Sequence, residues 1–273
     1  MFTYRYSEAA MKGLYQDYRG IAYLKARQAW EPTYTVSLNS DIGGSEQVLT
    51  LRRQVIRSAI ERNEHALGRS ACVVVDIGGD CGQFIPPEFL SKYVLDVSAS
   101  LPVSGVKKIK DMSEVLPSKP DLILFCGILE HVPNPIGLLN EYASHEAKAS
   151  KVMFYVEVPF GVPEPRLGLQ QILGWFLALL SSRSRTMWCL LDRYLARCKR
   201  RDKQSLLSVL RQSEHINFFS EAGLVTLLKN CGLEVCETFT YEMSDSLSTS
   251  GRLEFQKVLC AVAVGSPKDS YVK

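Results

Sequence analysis

Residues 73–82 read VVVDIGGDCG. An apolar run without helical spacing carries one acid, Asp76, and passes into a glycine turn, the pattern of a buried strand that delivers the chain to a ligand-binding loop. The same grammar continues outward. Short apolar runs at 71–77, 92–97, 121–126 and 152–158 are separated by turns or helical segments, and the runs resume at 233–241 and 257–264. Near-continuous rather than alternating apolar residues suit strands covered on both faces of a parallel sheet. Their alternation with helical segments predicts an α/β fold.

Upstream of the turn, residues 1–34 carry Tyr4, Tyr6, Tyr15, Tyr18, Tyr23 and Tyr34 and read as one or two short helices, ended at Glu31-Pro32 because proline restricts the residue before it. A longer helix is expected over 45–68, where Val48, Leu49, Val55, Ile56, Ala59 and Ile60 recur at three- and four-residue spacing. Pro86-Pro87 follows the glycine turn closely, so the helix expected there must start late or be short. After Pro159 the alternation gives way to two or three helices over 161–213, then resumes with SEAGLVTLLKNCG, where Ser220 can cap a helix start and Gly232 its end.

The 273 residues, 46% of them hydrophobic, suffice for one large domain. A net charge of +3 makes no case for nucleic acid as a partner. None of the eight cysteines forms a CxxC pair or sits at zinc-ligand spacing, so no metal site is expected and the thiols suit a cytoplasmic protein. The N-terminus shows no apolar run of the kind found in signal peptides. The longest apolar stretch, 167–180, contains two glutamines and is shorter than the roughly 20 residues of a spanning helix.

Two ligand families use a strand, a glycine turn and then a helix. The dinucleotide fingerprint counted from Gly78 requires glycine at 80 and 83, which hold Asp80 and Gln83. Counted from Asp76, the stretch DIGGDCG resembles the D-x-G-x-G-x-G signature of class I S-adenosylmethionine-dependent methyltransferases, matching at Asp76, Gly78 and Gly82 and departing at Asp80. Further segments agree. Asp96 ends the next strand, where a carboxylate can accept both hydroxyls of an adenosyl ribose. The fourth strand leads into GILEHVPNP (127–135), and EHINFFSEAGLVTLLKNCGLEV (214–235) is similar to the closing helix and strand of many members.

The resemblance covers roughly 70–160 and 214–265. It implies a Rossmann-like, doubly wound, mostly parallel seven-stranded sheet, with an N-terminal helical cap over 1–68, a methyltransferase domain over 69–265, a helical insert at about 161–213 and a tail at 266–273. It also implies S-adenosylmethionine as cofactor, bound by Asp76, Gly78, Gly79, Asp80, Gly82 and Asp96, with Asp111 and Met112 where the family contacts the adenine. That ligand carries an ammonium and a sulfonium rather than a pyrophosphate, so an acid at position 80 favours it while repelling phosphate. Aspartate also enters left-handed backbone conformations more readily than most residues.

The chemistry calls for alignment and, with a hydroxyl or acidic C–H acceptor, a base. Among four histidines, His65 and His145 lie in charged or polar surroundings and read as surface residues. His215 is the first candidate, with Glu214 as its orienting partner, because the Glu-His pair resembles an acceptor-site element of sugar C-methyltransferases. His131 follows the fourth strand and comes next. The insert holds eight Lys or Arg against two Asp over 183–203, on helically spaced apolar residues. It suits a lid with solvated arginines, a grip on a phosphorylated acceptor, or peripheral contact with an anionic membrane. The N-terminal tyrosines could form the opposite wall.

The expected acceptor is a sugar or glycan intermediate, nucleotide- or lipid-linked, methylated on oxygen or carbon. Two rival readings stay open: a non-catalytic S-adenosylmethionine-binding or scaffold protein, and an NAD-dependent oxidoreductase.

Overall fold

In the computed structural model, residues 8–30, 36, 39, 46–68, 70–115, 119–146, 151–160, 216–244 and 255–265 are described. Two short helices, α1 (Glu8–Gln16) and α2 (Ile21–Trp30), precede a long helix, α3 (Glu46–Leu67). Seven strands follow: β1 (Val73–Ile77), β2 (Ser91–Leu95), β3 (Lys107–Ile109), β4 (Leu122–Cys126), β5 (Val152–Pro159), β6 (Glu234–Ser244) and β7 (Phe255–Gly265). Helix α4 (Pro135–Glu146) lies between β4 and β5, and α5 (Glu221–Asn230) precedes β6.

The strands form one sheet in the order β3-β2-β1-β4-β5-β7-β6. The first five are parallel, and β7 runs antiparallel between β5 and β6. The chain travels outward from β1 to β3, then returns to lay β4 against β1. A crevice therefore opens beyond the carboxyl ends of β1 and β4, where ligands bind in open α/β sheets.

Both faces of the sheet are covered, which is why the strands read as continuous apolar runs. On one face Ile123, Phe125, Phe154 and Val156 pack with Leu139 of α4 and Leu224 of α5. On the other, Val74, Leu124 and Met153 meet Ile56, Ala59 and Ile60 of α3, so this helix contributes directly to the core of the sheet. Ser220 caps α5 by accepting from the Gly223 amide, and Gly232 follows in the left-handed conformation at φ 76°.

Two features differ from expectation. No helix forms between β1 and β2: residues 78–90 make turns, and Phe84, Ile85 and Phe89 are buried under α3. Pro86 and Pro87 have no amide to donate and hold the chain out of helical geometry. The edge strand β3, Lys-Lys-Ile, is too short and too charged to stand out in the sequence. The expected helices of 161–213 lie outside the described residues. Among the described residues no helix is long and apolar enough to cross a membrane.

Candidate active site

The glycine turn continues the sheet for one residue, the Gly78 amide donating to the Leu95 carbonyl at 2.8 Å. It then takes left-handed conformations at Gly78 (φ 69°), Asp80 (φ 55°) and Gly82 (φ 74°). Aspartate thus occupies the conformation that the family signature gives to glycine, at a modest steric cost. Glycine is also needed for space, most tightly at Gly78 and Gly79. A Cβ on Gly78 would stand 2.2 Å from Ile128 Cδ1, and one on Gly79 would stand 2.0 Å from Asp76 Oδ2.

Asp96 sits just past β2 and grips this turn. Its Oδ2 accepts from the Asp80 amide at 2.8 Å and its Oδ1 from the Ser98 amide at 2.6 Å. Each oxygen retains a further lone pair, which a vicinal diol can use. Beside it opens a cavity of about 510 Å³, lined by Lys12 and Gln16 of α1, Leu95, Asp96, Lys108 and Ile109. Asp80 is buried, accepts from the Ser98 hydroxyl at 3.1 Å, and lies 4.0 Å from the Arg19 guanidinium. Its side chain therefore also ties the turn to the segment after β2.

Asp111 and Met112 follow Lys110, which lines the cavity. Met112 packs against the core. The exposed Asp111 carboxylate accepts from both the amide and the hydroxyl of Ser113, bonds that hold its pKa below the usual range.

Beneath the turn, Asp76 is fully buried, and neither carboxylate oxygen has a hydrogen-bond partner among the described residues. Burial, opposed by Arg52, pushes its pKa well above the carboxylate range. Arg52 reaches in from α3, stacks over the Phe84 ring at 3.6 Å and pairs with Glu157 near the carboxyl end of β5. Glu157 also accepts from the hydroxyls of Tyr241 at 3.0 Å and Tyr155 at 3.3 Å. The sequence patterns above do not reveal this buried ionic cluster, although a single Glu inside VMFYVEV is a signal that such an apolar strand needs a partner for it.

His131 lies in the loop after β4, 17% exposed at its side chain. The loop is pinned from the segment preceding α5: Ile216 and Asn217 amides donate to the Glu130 carbonyl, and the Asn217 side chain donates to the carbonyls of Leu129 (2.8 Å) and Val132 (2.7 Å). Asn217 does not stand out in the sequence, being one polar residue in a motif conspicuous for its histidine. From α1, the Tyr15 hydroxyl meets His131 Nδ1 at 2.9 Å. On the other side of the ring, Nε2 lies 3.8 Å from Glu130 Oε1.

The structure therefore brings together Asp76, Gly78, Gly79, Asp80, Gly82 and Asp96, with Ile128 of the His131 loop touching the turn at Gly78. His215 and Glu214 lie outside the described residues. His65 is exposed on α3, its Nδ1 3.1 Å from the Arg62 carbonyl.

These residues fit an adenosyl sulfonium ligand. Three acids surround a turn that no helix N-terminus follows, so the dipole that holds a phosphate is missing. A carboxylate beside a cavity of nucleoside size is present instead.

Comparison with known proteins agrees. The model of a methyltransferase domain family matches residues 49–238, more than two thirds of the chain. No curated protein matches it. Among solved structures, the magnesium protoporphyrin IX methyltransferase of Synechocystis PCC 6803 with bound SAH is 13% identical, covering 94% of this chain and 99% of its own, with a TM-score of 0.47. A plantazolicin methyltransferase in complex with a pentazolic desmethylPZN analog and SAH is 13% identical over 95% and 100%, at 0.48. A SAM-dependent methyltransferase from Archaeoglobus fulgidus is 14% identical over 82% and 96%, at 0.42. With its glycine turn, its sheet order and the family match over residues 49–238, the chain belongs to the methyltransferase domain family as a class I S-adenosylmethionine-dependent methyltransferase.

Proposed function

We propose that this methyltransferase acts on an oxygen or carbon of a small acceptor, a sugar or glycan intermediate linked to a nucleotide or lipid. The observation that carries this reading is the position of the segment after the insert. The stretch that resembles sugar methyltransferases, SEHINFFS at 213–220, includes Asn217, whose side chain holds both sides of the loop bearing His131. The basic residues of 183–203 would meet the phosphates of such an acceptor or an anionic membrane surface, and the enzyme would work in the cytoplasm, peripherally at a membrane where the acceptor is lipid-linked.

In this reading Asp96 takes the ribose hydroxyls, the turn at Gly78, Gly79, Asp80 and Gly82 lies along the amino-acid part of the cofactor, and Asp111 and Met112 flank the adenine. Asp76 lies buried beneath the turn, against Gly79. S-adenosylmethionine supplies a methyl group already activated by its sulfonium. The protein aligns the acceptor and removes a proton from it. His215 with Glu214, or His131, serves as that base. The described surroundings of His131 suit the task, since it stands in the loop after β4, whose Ile128 lies against the glycine turn at Gly78.

The test is calorimetric titration with SAH against an NADH control, followed by SAH release from S-adenosylmethionine with a panel of nucleotide sugars. Micromolar SAH binding and turnover of a panel member are expected. NADH binding instead of SAH would refute the cofactor assignment. SAH binding together with turnover only of non-carbohydrate acceptors would refute the acceptor class.

A further inference from the structure

Helix α1 turns one face toward the site. Lys12, Tyr15 and Gln16 stand at i, i+3 and i+4, so they share one side of the helix. Lys12 and Gln16 line the cavity beside Asp96, while Tyr15 reaches His131 across 116 residues of sequence. The two rings meet edge to face, their centroids 5.6 Å apart at 65°. The helix is held in place from its far end. Tyr15 packs on Tyr18 and Tyr23, Tyr23 is buried, and Arg19 stacks over Tyr18 and faces Asp80 of the glycine turn.

Two neighbours of His131 favour one tautomer. Nε2 faces the Glu130 carboxyl, whose carboxylate form favours a proton on that nitrogen. Nδ1 is then the bare nitrogen and accepts from the Tyr15 hydroxyl. Glu130 itself is buried, and its Oε2 has no partner among the described residues. Burial pushes its pKa up, and among the described residues a protonated His131 is the main cationic partner that opposes this.

We propose that Tyr15 is a catalytic residue of the methyl-transfer site, holding His131 in the Nε2–H tautomer and relaying the acceptor's proton to Nδ1. This rests on the reading of the loop after β4 as the acceptor side of the site. In the proton step, an acceptor hydroxyl gives its proton to the Tyr15 oxygen as the Tyr15 proton passes to Nδ1. One proton leaves the acceptor, one resides on the ring, and the Glu130 carboxylate balances the imidazolium. The backbone of the loop is fixed by Asn217, and Tyr15 bears on the ring. The N-terminal helix is thus a working wall of the active site, closing the cofactor cavity with one pair of residues and setting the base with the residue between them.

Tyr15→Phe in the full chain keeps the ring packing and deletes only the hydroxyl. Side-chain ¹⁵N NMR assigns His131 as the signal absent from His131→Gln. The parent is expected to show Nδ1 as a hydrogen-bonded bare nitrogen. In Tyr15→Phe that signature is lost and the ratio of Nε2–H to Nδ1–H tautomers falls about two- to tenfold, the range of an ordinary hydrogen bond. Glu130→Gln should shift the same ratio in the same direction. SAH affinity, measured alongside, stays within about twofold. An unchanged His131 signature in Tyr15→Phe overturns the proposal. Loss of SAH binding by the parent would instead remove the cofactor reading and leave the tautomer result to decide this one.

Discussion

Replacing Asp96 by alanine tests the proposed cofactor site most directly, because on that reading the carboxylate has two duties whose losses can be measured apart. Toward the protein it accepts the amides of Asp80 and Ser98, both from buried residues. Deleting it strands two amides, each at a cost of about 1–3 kcal/mol, which appears as a lower unfolding midpoint. Toward the cofactor it offers its remaining lone pairs to the ribose diol. Hydrogen bonds to a charged acceptor are worth about 1.5–3 kcal/mol, so SAH should bind about 10- to 150-fold more weakly. The two effects are separated by titrating parent and mutant with SAH and with its 2′,3′-dideoxy analogue. The parent should lose that factor when the hydroxyls are removed, while Asp96→Ala should bind both ligands within about twofold. A mutant that still discriminates SAH from the dideoxy analogue as the parent does would refute the placement of the ribose at Asp96.

Three further outcomes follow from the buried charges and the turn. Burial raises the Asp76 pKa above its unfolded value, so the native state holds that proton over a pH range where the unfolded chain has released it. Stability therefore falls as pH rises from the unfolded value of about 4 toward the raised one. Asp76→Asn should flatten this slope in urea melts between pH 4 and 8, and a slope identical to that of the parent would count against a buried proton there. Arg52→Met leaves the buried Glu157 without its cation and should cost about 3–5 kcal/mol, with the double variant Arg52→Met, Glu157→Gln recovering most of the loss; equal urea midpoints for parent and single mutant would show the pair to be idle. Gly79→Ala drives a methyl into Asp76 Oδ2 and should abolish SAH binding in a chain that still folds, whereas parental affinity would mean that the turn tolerates a side chain.

Much of this molecule is legible in its amino-acid order. The strands β1, β2, β4, β5, β6 and β7 fall within three residues of their expected ends, the central ones β1, β4, β5 and β7 because strands covered on both faces are largely apolar. Helix α3 shows itself by the spacing of Ile56, Ala59 and Ile60. The turn at Asp80 is readable for a local reason: aspartate tolerates the left-handed backbone that the signature demands. The connection after the turn is harder. Pro86-Pro87 warns of a short helix, but that none forms depends on Phe84, Ile85 and Phe89 finding their burial under α3, a contact between segments far apart in the chain.

The class of fold, the glycine turn and the acid at Asp96 are written in the sequence, because each is a local pattern of burial and backbone freedom within a few residues. The partners of the buried and site-facing side chains are chosen only when the chain folds back on itself. Arg52 meets Glu157 across 105 residues and Tyr15 meets His131 across 116, and neither pairing leaves a periodic trace in the chain. A charged or aromatic residue on a helix looks the same in sequence whether it faces water or a buried acid, since what it pairs with is set by how the helices lie against the carboxyl ends of the strands.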